Sequence, residues 1–319
     1  MRKTTLSLCA LLVLTTFVLT TPLLAAPKRA TLRTGNPDSV RVERLPAGSD
    51  LFQRVSEQYR ASARNRHRAT VATEIRSARA FIIPVAGSAP GGGGTFFRSD
   101  ITIANYGQTS QDLSVAWIAR GVTTATPPTV VVTIPARTAQ PFRDFVTNVL
   151  GQSGIGSIFV IPIAGNQLDE DASIDGFSRI YTNQPGSAGT VSQPFEGVDP
   201  DSFLRHFAAS SLGLRHDASF RTNYFIVNTD SVPLTFTIFF SGSNGFESER
   251  TVTVNPASLF FDSVPPADSY GDLTIVFIVD EEDAFWTAGA SSTDNITADG
   301  YVSIASANLS DEDLDGFDR

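Results

Sequence analysis

One nine-residue segment occurs twice, and the rest of the chain has to accommodate that. Phe97-Arg98-Ser99-Asp100-Ile101-Thr102-Ile103-Ala104-Asn105 returns 123 residues later as Phe220-Arg221-Thr222-Asn223-Tyr224-Phe225-Ile226-Val227-Asn228. Both copies run aromatic, Arg, hydroxyl, Asp or Asn, then an extended apolar stretch closed by Asn. Such a stretch, rich in β-branched and aromatic residues, is a strand entering a turn. A return at a whole-domain interval predicts two similar modules rather than a short-period solenoid.

The flanking segments repeat in the same order. In residues 78–200, Ala80–Val85 reads as an opening strand and the Gly91–Gly94 loop as a connector. Leu113–Ile118 and Thr129–Ile134 follow as strands, the latter stopped by Pro135. Phe142–Leu150 suits one or two helical turns, Ile158–Ile163 a fully apolar central strand, and Phe177–Tyr181 a last strand after the acidic turn at 169–171. Gly186–Pro200 is read as a join. In residues 203–307, Leu234–Phe240, Arg250–Val254 before Pro256, Leu273–Val279 and Phe285–Ala290 repeat that order, with an acidic turn at 280–283 and a closing run at Tyr301–Ala305. Alternating or continuous apolar positions nominate Ile101, Ile103, Val115, Trp117, Ile158, Val160, Phe225, Val227, Phe236, Ile238, Ile275 and Phe277 as core.

The formal charge of −9 is unevenly placed. Residues 27–80 carry 12 Lys or Arg against 5 acids, whereas residues 81–319 carry 10 Arg, no Lys and 28 acids. A net of −18 over the repeated part argues against nucleic acid as its partner. The one cysteine, Cys9, precedes the repeat, so neither module can hold a disulfide.

Residues 1–25 have the pattern of a signal peptide: Met1-Arg2-Lys3, a mostly apolar Leu6–Leu24, then Ala25-Ala26-Pro27. This predicts export to the periplasm, cell surface or medium, with no membrane span after cleavage. Residues 26–77 read as a basic, partly helical or disordered linker. Thr31–Pro46 has no period, whereas Ser49-Asp50 suits the cap of a helix carrying Leu51, Phe52, Val55 and Tyr59. Arg60, Arg64, Arg66 and Arg68 around His67 read either as a spacer or as an anion-binding patch, the spacer being favoured.

Two further pieces accompany the repeat: Ile103-Ala104-Asn105-Tyr106-Gly107 with Ile134-Pro135-Ala136, and Ile226-Val227-Asn228 with Asn255-Pro256-Ala257. Together these resemble tandem bacterial immunoglobulin-like β-sandwich modules of secreted proteins. The resemblance covers roughly 78–307 and implies adhesion, scaffolding or display, with no catalytic residues and no cofactor. The cysteine pair of antibody domains is absent.

Candidate chemistry is sparse. His206 and His216 flank Ser210 and Ser211 near Asp217, but neither serine sits in a nucleophile-elbow pattern. Arg98 with Asp100, and Arg221 with Asn223, fall on one strand face and are expected to stabilise the fold, together with Asn105 and Asn228. Trp117 and Trp286 would stack on sugar rings if exposed. In the acidic tail, 308–319, Asp311, Asp313 and Asp315 before Gly316 make half of a calcium loop, a weak site without the closing bidentate Glu. The resulting expectation is an all-β, exported, non-enzymatic protein of two tandem immunoglobulin-like sandwiches, structural or adhesive, with a protein or glycan partner at the cell surface. The competing expectation is a secreted carbohydrate-binding module or an accessory domain of a hydrolase.

Overall fold

The computed structural model describes residues 32–36, 40–68, 80–91, 94–183, 188–202, 207–265, 270–281 and 283–306. The proposed signal peptide, Cys9, His206 and the acidic tail with Asp311, Asp313 and Asp315 lie outside the described residues.

The described chain is predominantly β. Strands β1 (Arg33–Thr34) and β2 (Arg41–Arg44) precede helix α1 (Leu51–Arg68). The first repeat contains β3 (Phe81–Pro90), β4 (Phe96–Asn105), β5 (Gln111–Ala119), β6 (Thr129–Ile134), β7 (Thr138–Phe142), the single turn α2 (Phe145–Asn148), β8 (Gly154–Ala164), β9 (Gln167–Leu168), β10 (Ile174–Asn183) and β11 (Thr190–Glu196). The second contains β12 (Ala208–His216), β13 (Phe220–Asn228), β14 (Leu234–Gly242), β15 (Glu247–Val254), β16 (Ser258–Ser263), β17 (Gly271–Val279), β18 (Trp286–Asp294) and β19 (Gly300–Ile304).

In the second half, β12-β17-β14-β15 form one sheet and β16-β13-β18-β19 the other. The first half has the corresponding ladders β3-β8-β5-β6 and β7-β4-β10-β11, joined into one network where Ala89 and Pro90 at the end of β3 pair with Phe97 and Phe96. The register corresponds as well. Asn105 stands opposite Thr138 and Ile174, and Asn228 opposite Ser258 and Trp286. Arg98 and Arg221 face Tyr181 and Thr293 on equivalent strands, β10 and β18. In both halves the first strand lies beside the sixth, and in the first half its end also pairs with the second, the neighbour that the first strand has in antibody domains.

The segment read as a linker is part of this architecture. β1 pairs in parallel with β7, and β2 in antiparallel with the outer edge of β6, so these two strands extend both ladders of the first half. Short, charged additions such as Arg41-Val42-Glu43-Arg44 also cover what would otherwise be open edges. The join at 186–200 is likewise corrected, since β11 pairs along β10 from Phe177↔Glu196 to Asn183↔Thr190.

Helix α1 begins where the Ser49 hydroxyl accepts the Leu51 N–H (3.4 Å) and Asp50 pairs with Arg54 one turn on (3.1 Å). Its buried positions Leu51, Val55, Tyr59 and Ala63 recur every four residues, with Phe52 beside them. They rest on the outer face of the β8 ladder, where Phe52 and Tyr59 meet Phe159 edge-on at 5.6 and 6.3 Å. The helix is therefore core rather than spacer.

All twelve nominated core residues are buried, but not all in the expected place. Tyr224 and Ile226 fill the second core, and Phe225 and Val227 point the other way, joining Leu259 and Phe285 in the core of the first half. Phe225 meets Phe195 at 6.1 Å. Selecting Ile101 and Ile103 in one copy and Phe225 and Val227 in the other mixes two strand faces, because side chains alternate with a period of two. The residues of β4 that correspond to Phe225 and Val227 are Thr102 and Ala104. β13 thus has both faces covered, one by its own sheet partner and one by the neighbouring half.

Candidate functional site

The repeated asparagines make the same bonds in both copies. Asn105 Nδ2 donates to the carbonyls of Thr109 (2.8 Å) and Ile134 (3.1 Å), and its Oδ1 accepts the Gly107 N–H (2.8 Å). Asn228 Nδ2 donates to Val232 and Val254 (both 2.8 Å), and its Oδ1 accepts the Asp230 N–H (2.8 Å). Both side chains are buried, and each ties the turn after one strand to the end of a strand some 30 residues away or fewer. A primary amide offers two donors and one acceptor oxygen, so little remains for a ligand.

The arginines differ in their partners. Arg98 Nε stands 3.6 Å from Asp144 and its guanidinium lies over the Phe96 ring. Asp100 accepts from Arg143 and from the Asp144 N–H (3.0 Å). The two side chains therefore meet at the turn into α2 instead of pairing with each other. Asp144, at φ 42°, is held there in a left-handed conformation. In the second copy Arg221 donates to Asn295 Oδ1 (3.0 Å), and Asn223 Oδ1 accepts the Ser263 hydroxyl (2.8 Å).

The Ser, His and Asp residues of 210–217 are directed to separate tasks. His216 Nδ1 accepts the Thr222 N–H (3.1 Å), and burial lowers its pKa, which favours the neutral imidazole. Ser211 Oγ donates to the Ser303 carbonyl (3.0 Å). Asp217 caps its own turn by accepting the Ser219 and Phe220 N–H groups (2.7 and 3.0 Å). Trp117 and Trp286 are both fully buried, so neither presents a face to a sugar. The fit around Trp117 is close: a Cβ at Gly156 would lie 2.6 Å from its ring. Among the described residues, no group of three or more His, Cys, Asp or Glu is placed to hold a metal ion.

The structure assembles two features that sequence patterns did not announce. The first is a charged junction beneath α1. Arg60 donates to the Thr229 carbonyl (3.0 Å), Arg64 pairs with Asp230 (3.3 Å) and covers the Phe285 ring, and Arg66 pairs with Asp201 (3.1 Å). The Tyr59 hydroxyl donates to Asp199 (2.7 Å). Burial, then the adjacent Asp201 carboxylate, pushes the Asp199 pKa up to about 8, and the same surroundings raise that of Tyr59 well above the usual phenol range. The arginines read from sequence as a basic cluster thus face the connection between the two halves.

The second feature is a cleft of about 330 Å³ between the halves. Val85, Ala89, Phe97, Ile180, Phe195 and Phe261 supply apolar walls, and Gln193, Arg221, Asn223, Ser291 and Thr293 supply polar groups. Gln193 donates to Thr293 across it (3.0 Å). Only Arg221 and Asn223 were candidates from the sequence, and there they appeared as repeat residues without a cavity.

Comparison with protein-family models, with curated proteins and with solved structures finds no match for this chain. No helix among the described residues is long and apolar enough to cross a membrane.

Proposed function

We propose that this is an exported, non-enzymatic protein in which two tandem immunoglobulin-like sandwiches form one structural or adhesive unit at the cell surface or in the extracellular space. The observation that carries the reading is where the repeated polar groups go. Asn105 and Asn228 are used up by the backbone, and Ser211, His216 and Asp217 each satisfy a local turn or strand. Repeat residues that build a frame rather than a reaction centre suit display and adhesion. The paired ladders in each half support the immunoglobulin-like reading, and the ladder between the first and sixth strands sets these sandwiches apart from antibody domains. The carbohydrate-binding alternative loses its two tryptophans to the interior.

Fractionation of producing cells, followed by binding of the purified 26–319 chain to envelope preparations and a glycan array, tests this. Envelope-associated, saturable binding without turnover is expected. Recovery only from the cytoplasm, or ester or glycoside hydrolysis abolished by Ser211→Ala, overturns it. Binding confined to glycans transfers the protein to the carbohydrate-binding class.

A further inference from the structure

The cleft between the halves has the composition of a ligand site rather than a packing defect. Its volume of about 330 Å³ falls at the small end of the roughly 300–1,000 Å³ range of ligand pockets. Ser291 on β18 lines it and is only 6% exposed. Asn223 lines it too, its side-chain oxygen accepting the Ser263 hydroxyl.

Charge narrows the class of ligand. Arg221 is the one charged residue among those lining the cleft. One terminal nitrogen of its exposed guanidinium donates to Asn295 (3.0 Å). A guanidinium carries five N–H donors and suits a carboxylate, with which it forms charge-assisted and often bidentate bonds. The protein's net charge of −9 opposes anions at long range, but that field is screened beyond about 8 Å at physiological salt. At contact distance Arg221 dominates.

We propose that this cleft binds a small amphipathic carboxylate, its hydrocarbon or aromatic body between Val85, Ala89, Phe97, Phe195 and Phe261 and its carboxylate against Arg221 and Asn223. The apolar walls come from both halves, so the ligand bridges them. The proposal goes beyond the structural or adhesive reading, and the two fail independently, because ligand binding is measured without any envelope component.

Calorimetric titration of octanoate into the full chain provides the test, with octanamide as the uncharged counterpart of equal length. Saturable binding of octanoate is expected, and Arg221→Gln, an exposed substitution that leaves the fold intact, weakens it about ten-fold or more while leaving octanamide unchanged. Ser291 and Gln193 amide resonances shift on addition of octanoate in the same titration. Absence of saturable binding at millimolar octanoate, equal affinity for wild type and Arg221→Gln, or shifts confined to other surfaces overturns the proposal.

Discussion

Asn105 and Asn228 were legible in the sequence as the repeated endings of a strand entering a turn, but their partners were not. Ile134 and Val254 accept their bonds from 29 and 26 residues away, and nothing local specifies that closure. Replacing either asparagine by Ala leaves buried carbonyls and one N–H unsatisfied, at about 1–3 kcal/mol for each buried group so abandoned. Asn105→Ala and Asn228→Ala are therefore each expected to lower the urea midpoint by an amount equivalent to about 2–4 kcal/mol. Arg98→Ala serves as the contrast. Its contact with Asp144 is long at 3.6 Å and partly exposed, and exposed pairs contribute about 0–1 kcal/mol. Equal losses for the asparagine and arginine variants would show that the amide network is not what closes the turn.

At the scale of elements, helix α1 shows where sequence reading succeeds and where it stops. Its start and its apolar face followed from Ser49-Asp50 and from the spacing of Leu51, Phe52, Val55 and Tyr59. Its destination did not, because Arg60, Arg64 and Arg66 find acids and carbonyls that lie more than 130 residues along the chain. The same contacts set three residues of the basic N-terminal segment, Arg60, Arg64 and Arg66, against the acidic remainder. They also predict a pH response. Asp199, with a pKa of about 8 in the folded protein, keeps a proton that the unfolded chain releases near pH 4. The folded state then binds more protons than the unfolded state between those values, so stability contributed by this group falls as pH rises from about 4 to about 8. Melting temperatures measured from pH 5 to 9 should decline, and Asp199→Asn, which mimics the neutral acid beside Tyr59 and Asp201, should flatten the decline. Identical pH slopes for the two proteins would place the responsible proton elsewhere.

Across the whole molecule, the repeat announced β strands in a matching order, and left unread that β13 would contribute to the core of the first half. The signal was present in β13. Tyr224-Phe225-Ile226-Val227 is continuously apolar, as strands covered on both faces are, whereas the matching stretch of β4 alternates Ile101-Thr102-Ile103-Ala104. Apolar residues on the second face had to meet something, and they meet the first half, with Phe225 on Phe195 and Leu259 beside the β5–β6 connection through the Arg120↔Leu259 bridge. The Thr123–Ser258 and Gln193–Thr293 contacts border the same interface (3.2 and 3.0 Å). Two units that share apolar surface, and are further joined by α1, should unfold together. Calorimetry of the intact chain is expected to give one transition with matching calorimetric and van't Hoff enthalpies. Phe225→Ala removes a fully buried ring and should cost about 3–5 kcal/mol, whereas Thr102→Ala at the corresponding position of the first half should cost less than about 1 kcal/mol. The double variant Phe225→Ser, Val227→Ser buries hydroxyls in that contact and should split the single transition in two, since the second core, built on Tyr224 and Ile226, is untouched. Two transitions already present in the wild-type chain would mean that the halves are merely adjacent and that the buried face of β13 contributes no coupling.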